Sequence, residues 1–162
     1  MQHLSGDASR PGGPGPKILT FVCNDEGAWG KGFVMNVSAR WPEVREQFRA
    51  WHEGWITSPP FALGEVLLVQ VEPELWVAHL LVQHGTRWEN GEPPIRYQAL
   101  DVALERLAEH AIRLGASVHM PRIGTGLAGG SWDVVEPMVG KQVAGRGIPV
   151  FVYRLSGADA HA

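Results

Sequence analysis

The sequence predicts an α/β layered fold with a mixed sheet. Three observations carry this. Short apolar, β-branched runs alternate with segments of helical periodicity. Two of those runs, 65–71 and 75–83, are joined by the tight Glu72-Pro73-Glu74 turn and predict an antiparallel hairpin. Two glycine-rich segments each follow a predicted strand and precede a predicted helix, the place where open α/β sheets bind ligands.

The 162 residues suit one domain, with 44% hydrophobic and 19% charged residues, so a disordered chain is excluded. A single core is expected over about 1–155, with 156–162 as a frayed, flexible tail. Cys23 is the one cysteine, which rules out a disulfide framework or a four-cysteine zinc site, and no metal or cofactor is expected. With no long apolar run and no signal-like start, neither a membrane partner nor export is expected. Together with the lone thiol, this leads to a cytoplasmic expectation. The net charge of −3 argues against bulk electrostatic binding of nucleic acid.

Element by element, Gly6–Pro16 carries four glycines and three prolines and by composition reads as a linker or tail. Ile18–Cys23 is a buried strand. Phe33–Arg40 and Glu43–Trp51 are short helices, the second started by Pro42. Glu65–Val71 and Leu75–Gln83 form the hairpin. Ile95–Leu114 is the clearest helix. Tyr97, Leu100, Leu104, Leu107, Ala108 and Ala111 lie on its apolar face and Asp101, Glu105, Glu109 and Arg113 on the other, with Glu109 and Arg113 spaced to pair. Gly115 is its C-cap. Ser117–Pro121 is a strand. Trp132–Val143 is a helix with Ser131 as N-cap, and Pro137 lies at the edge of what its first turn tolerates. Ile148–Leu155 is the last strand.

Seven of the 20 glycines fall in the two loops: 27, 30, 32, 124, 126, 129 and 130. Glycine lets backbone N–H groups converge on an anion without a Cβ in the way, and a helix N-terminus adds positive potential. Two such loops facing each other suit a diphosphate. The same residues also make ordinary strand-to-helix turns. Neither loop has the spacing of a P-loop or of a Rossmann fingerprint.

The segment Ser117-Val-His-Met-Pro-Arg-Ile-Gly124-Thr-Gly126, followed by Trp132, resembles the second ADP-ribose-binding loop of macrodomains. Val22-Cys-Asn24-Asp25-Glu-Gly27-Ala-Trp29-Gly30-Lys-Gly32 resembles the first. Within that family the resemblance is to the chromatin-remodeller and terminal ADP-ribose glycohydrolase types, and it covers about residues 4–155. It implies a three-layer α/β/α fold around a mixed, mostly six-stranded sheet, with Met1–Ser5 as a strand rather than a tail.

The resemblance also implies site roles. Gly27, Gly30 and Gly32 form one wall of the diphosphate site; Gly124, Thr125, Gly126 and Leu127 form the other. Asp7 accepts the adenine amino group, or is a solvated linker residue. Tyr153 lies beside adenine, or packs in the core. Trp29 flanks the ribose, or packs under its loop. Asn24, Asp25 and His84 are the polar candidates around the reacting ribose, although an Asn there also stabilises a turn and His84 also reads as a solvent-facing loop residue. The terminal glycohydrolase type uses a lysine after the hairpin strand and an acid in the second loop. Residues 83–88 contain no lysine, and no acid follows the second loop before Asp133. A lysyl intermediate is therefore not expected. Positioning of a water by the glycine loops leads instead to hydrolysis of mono-ADP-ribose from glutamate or aspartate esters on proteins, by a monomer. A non-catalytic reader, a purely structural domain, and a phosphatase or deacetylase of free ADP-ribose derivatives are the other readings. Cys23, His79 and His119 are expected to be buried and structural.

Overall fold

The computed structural model describes residues 1–155. The expected frayed end, 156–162, lies outside the described residues. The strands are β1 (Gln2–Ser5), β2 (Lys17–Asn24), β3 (Val66–Glu72), β4 (Leu75–Gln83), β5 (Ser117–Met120) and β6 (Val150–Arg154). The α-helices are α1 (Phe33–Arg40), α2 (Pro42–His52), α3 (Tyr97–Leu114) and α4 (Trp132–Gln142). All six strands form one sheet in the order β1-β6-β5-β2-β4-β3. Only β3 runs antiparallel, paired with β4 through the predicted hairpin.

Central strand β2 is apolar on both faces because helices cover both. Ile18 and Val22 join the core beneath α3 and α4. Leu19, Phe21 and Cys23 join the core beneath α1 and α2, where Trp41, Phe48 and Trp51 are buried. The three layers follow from this division. Trp55, by contrast, is 81% exposed.

Local chemistry sets the helix ends. Pro42 opens α2, with Glu43 in its first turn and Arg49 and His52 in its last, as the helix dipole favours. Gly115 closes α3 in the left-handed conformation (φ 62°). That helix starts at Tyr97 rather than Ile95. The Ile95 N–H donates to the Ala128 carbonyl and the Arg96 N–H to that of Val82, which draws both residues into extended geometry. Arg113 meets His110 at 2.7 Å rather than the expected Glu109.

Ser131 holds the N-cap position of α4, but its hydroxyl makes no capping bond; its carbonyl accepts from Val134 and Val135. Pro137 falls inside the helix, beyond the first turn, so the Asp133 carbonyl loses its helical donor there.

The composition of 6–16 was misleading as a sign of a loose tail. Ala8 and Ser9 are buried, and the Gly12 N–H donates to the Tyr153 hydroxyl. Strand β1 lies at the sheet edge, parallel to β6.

Two histidines are buried inside the fold. The His79 ring lies between the Leu67 and Val44 carbonyls at 3.1 and 3.2 Å. His119 bridges the Ser117 and Tyr153 hydroxyls at 2.8 and 2.7 Å. Burial lowers each from an ordinary 6.5 to about 4, and for His119 the Lys17 charge adds to this. Between those values the unfolded chain binds more protons than the folded one. Stability from these residues is therefore complete above 6.5 and is lost as pH falls toward 4, by up to about 3 kcal/mol per histidine. The melting temperature should decline over that range, and His119→Gln should flatten the decline.

Candidate functional site

Strand β2 ends in a turn built by Asn24. Its side-chain oxygen accepts the N–H groups of Glu26 (3.1 Å) and Ala28 (2.9 Å), while its amide donates to the Ala28 carbonyl (2.9 Å). Gly27 sits at φ 76° directly over the His52 imidazole, where a Cβ would overlap the ring. Trp29 folds inward with its Nε1–H on the Ser38 hydroxyl (3.1 Å) and its ring edge against Phe21 (5.7 Å). Trp29 therefore packs beneath its loop, and the same residue lines the cavity above the sheet. The chain then runs through Gly30 and Gly32 into α1. The N–H groups of Gly30, Lys31 and Gly32 donate to no other described residue.

The second loop leaves β5 and is closed by the Gly130 N–H on the Gly124 carbonyl (2.8 Å). Gly124, Gly126 and Gly129 all take positive φ, which only glycine adopts cheaply. Thr125 spends its hydroxyl on the Arg122 carbonyl (2.7 Å). Successive N–H groups of Gly124, Thr125, Gly126 and Leu127 donate to no other described residue. The two loops face each other: a Cβ on Gly32 would lie 3.5 Å from Leu127. Between them is a cavity of about 530 Å³, walled by Phe21, Trp29, the Gly30–Gly32 backbone, Asn24, Gln83 and Leu127, with Lys31 and Arg87 at its margin. Such a site attracts an anion through backbone dipoles, independent of the chain's net charge.

Asp25 and His84 come together, with Oδ2 to Nδ1 at 2.7 Å, and the Gly85 N–H donates to the other carboxylate oxygen at 2.7 Å. Neither lines the cavity. Asn24 and Gln83 are partners across β2 and β4, and both line it. The following residues, Asp25 and His84, lie beyond the strand ends, where the turn after β2 and the chain after β4 leave the sheet. Asp7 and Tyr153 share a different cavity of about 430 Å³ between β1, β6 and the segment after β1. One Asp7 oxygen accepts from the Ser9 N–H and hydroxyl, and the Tyr153 ring is mostly buried.

Gln83 and Arg87, in the segment 83–88 that the resemblance sets beside the distal ribose, and Lys31 of the first loop line the cavity, although none of them has an individual role by resemblance. For Gln83 the legible signal was a polar residue closing the otherwise apolar strand LWVAHLLVQ.

Fold and site together define a three-layer α/β domain with a crevice between two glycine-rich loops at the carboxyl ends of its central strands. A macrodomain protein of known structure from Streptomyces coelicolor is 48% identical, with a TM-score of 0.83, over 94% of this chain and 97% of that one. This chain belongs to the macrodomain family. Mouse "Chromodomain-helicase-DNA-binding protein 1-like" is 30% identical over 94% of this chain, which spans only 17% of that protein's length. "Thermosipho africanus DarTG in complex with ADP-ribose" shares the fold at 20% identity, with a TM-score of 0.69 over 85% of this chain and 38% of that one. No protein-family model matches the chain.

Proposed function

We propose that this macrodomain binds ADP-ribose across the carboxyl edge of its sheet and hydrolyses mono-ADP-ribose from glutamate and aspartate esters on modified proteins. The observation that carries the binding reading is the pair of facing glycine loops: Gly30, Gly32 and Leu127 line one cavity, and the N–H groups of 30–32 and of 124–127 donate to no other described residue, although Gly124, Thr125 and Gly126 do not themselves line it. A diphosphate satisfies both rows at once. Membership of the macrodomain family supports the same ligand, as does the ADP-ribose complex of a protein sharing the fold. In this reading adenine lies toward Asp7, whose second carboxylate oxygen accepts its amino group, and toward Tyr153. The distal ribose lies at the β4 end, with Trp29 and Leu127 flanking the path between.

For hydrolysis the loops hold the ester and a water in line, so that positioning supplies most of the rate. A carboxylate leaves without strong acid assistance, which suits a site whose second loop carries the buried Ala128 and no acid. Asn24 shapes the first loop. The Asp25–His84 pair, one residue beyond the wall, leaves Nε2 free to handle a proton. The domain acts as a monomer on mono-ADP-ribosylated proteins in the cytoplasm, without metal.

A second reading is a non-catalytic reader of the same modification. It is favoured by the commitment of the Asn24 amide to its own loop and by the placement of Asp25 and His84 off the cavity wall. Calorimetry with ADP-ribose, together with release of ADP-ribose from a glutamate-modified protein, decides between them. Binding with release above the spontaneous rate is the expected result. Binding without release makes the domain a reader, and absence of binding overturns both.

A further inference from the structure

We infer that His119 is a positioning residue for the cavity beside Asp7 and Tyr153. It touches no ligand but, through Tyr153, holds residues 12–16 at the spacing from the sheet that a planar base fills. The inference rests on the ADP-ribose reading and goes beyond it by giving a buried imidazole a part in binding.

His119 lies in β5, 1% exposed, with its ring stacked on Phe151 of β6 (4.9 Å, 18°). It does not line the Asp7 cavity. It is the centre of a chain of hydrogen bonds that begins and ends in the segment between β1 and β2. The Gly12 N–H meets the Tyr153 hydroxyl at 3.3 Å, and that hydroxyl meets Nδ1 at 2.7 Å. On the other side Nε2 meets the Ser117 hydroxyl at 2.8 Å, and Ser117 meets the Pro16 carbonyl at 3.4 Å. The two ends fix the direction of every link, because a backbone N–H only donates and a carbonyl only accepts. Tyr153 therefore accepts from Gly12 and donates its hydrogen to Nδ1. Ser117 donates to Pro16 and accepts from the Nε2–H. Burial and the Lys17 charge keep the ring neutral, so it carries the single N–H that this order requires. The opposite tautomer leaves the Tyr153 hydrogen with no partner among the described residues and takes the Ser117 hydrogen away from Pro16.

The consequence falls on the cavity. One wall comes from the segment after β1, with Asp7, Arg10, Gly12 and Gly13, and the other from β6, with Phe151 and Tyr153. Between Pro11 and Gly15 the hydrogen bonds to the rest of the described protein are Gly12 to Tyr153 and Lys17 to the Gly15 carbonyl. A segment with so few bonds takes its position from them. The Tyr153 hydroxyl is committed inside the protein, which leaves its ring for the base.

NMR of the nitrogen-labelled chain reads the tautomer, and His119 should carry its hydrogen on Nε2. Calorimetry with ADP-ribose then compares His119→Asn, whose side-chain oxygen takes the place of Nδ1, with His119→Gln, whose amide takes the place of Nε2. Both lose part of the chain and both should melt lower, but only Asn still accepts from Tyr153. His119→Gln should bind about fivefold more weakly, as should Tyr153→Phe, which keeps the ring, while His119→Asn stays within about twofold of wild type. Equal losses in the Asn and Gln variants, no loss in the Gln or Phe variant, or a hydrogen on Nδ1 in wild type would overturn the assignment while leaving the ADP-ribose reading intact. A wild type that binds no ADP-ribose overturns that reading and this inference with it.

Discussion

Gly30→Glu is expected to weaken ADP-ribose binding by at least about 100-fold while the melting temperature stays within about 2 °C. Of the two glycines on the cavity wall, Gly30 and Gly32, Gly30 is the one where a side chain is sterically free. An added Cβ meets no atom within 4 Å, and its φ lies outside the left-handed region. The fold therefore accepts the change. The carboxylate, however, arrives beside the Gly30–Gly32 N–H groups, where it occupies the anion site and repels the diphosphate. Like charges about 4 Å apart in partly screened surroundings cost about 4 kcal/mol, well over the 100-fold stated. Gly30→Ala is the control and should bind nearly as wild type. Calorimetry paired with thermal melts reads both quantities, and an unchanged affinity in the Glu variant would remove the diphosphate from this wall.

Gly130→Ala should instead lose stability and affinity together. Its Cβ would overlap the backbone carbonyl of Gly124, the acceptor that closes the second loop at 2.8 Å. A side-chain tip can swing aside, but a backbone carbonyl moves only with its loop. The closing bond breaks or the loop rebuilds, at about 2–3 kcal/mol for overpacking plus one hydrogen bond. For a domain of this size the melting temperature should drop by about 5–10 °C. The row from Gly124 to Leu127 loses its alignment, so ADP-ribose affinity falls as well. A variant that melts lower yet binds normally would show that the row does not hold the ligand.

Much of the architecture was legible because it rests on local periodicity. The apolar run at β2, the hairpin around Pro73 and the α3 stripe appear within a residue or two of expectation. Errors arose where a partner distant in the chain set the outcome. Ile95 looks helical by pattern, but a bond to Ala128 pulls it out of the helix. Residues 6–16 look like a tail by composition, yet burial of Ala8 and the contact of Gly12 with Tyr153 pin them down. In the site, the glycine loops were readable as motifs, and the likeness to macrodomains supplied a ligand for them. Asn24, Asp25 and His84 stood together as a polar group, but the Asn24 amide bonds within its own turn on the cavity wall while Asp25 and His84, past the strand ends, pair with each other off it.

What the sequence determined by itself was therefore the layered α/β class, the order of its elements and the positions of two glycine-rich turns suited to an anion. These depend on the conformational preferences of neighbouring residues, and such preferences act over a few residues at a time. Only the tertiary structure decided which groups share a cavity. Gln83 and Asn24 lie 59 positions apart in the chain but side by side on adjacent parallel strands. One amide finds its bonds within its own turn, and the other is left facing the cavity. That difference depends on packing distances between distant segments, and no local pattern encodes it.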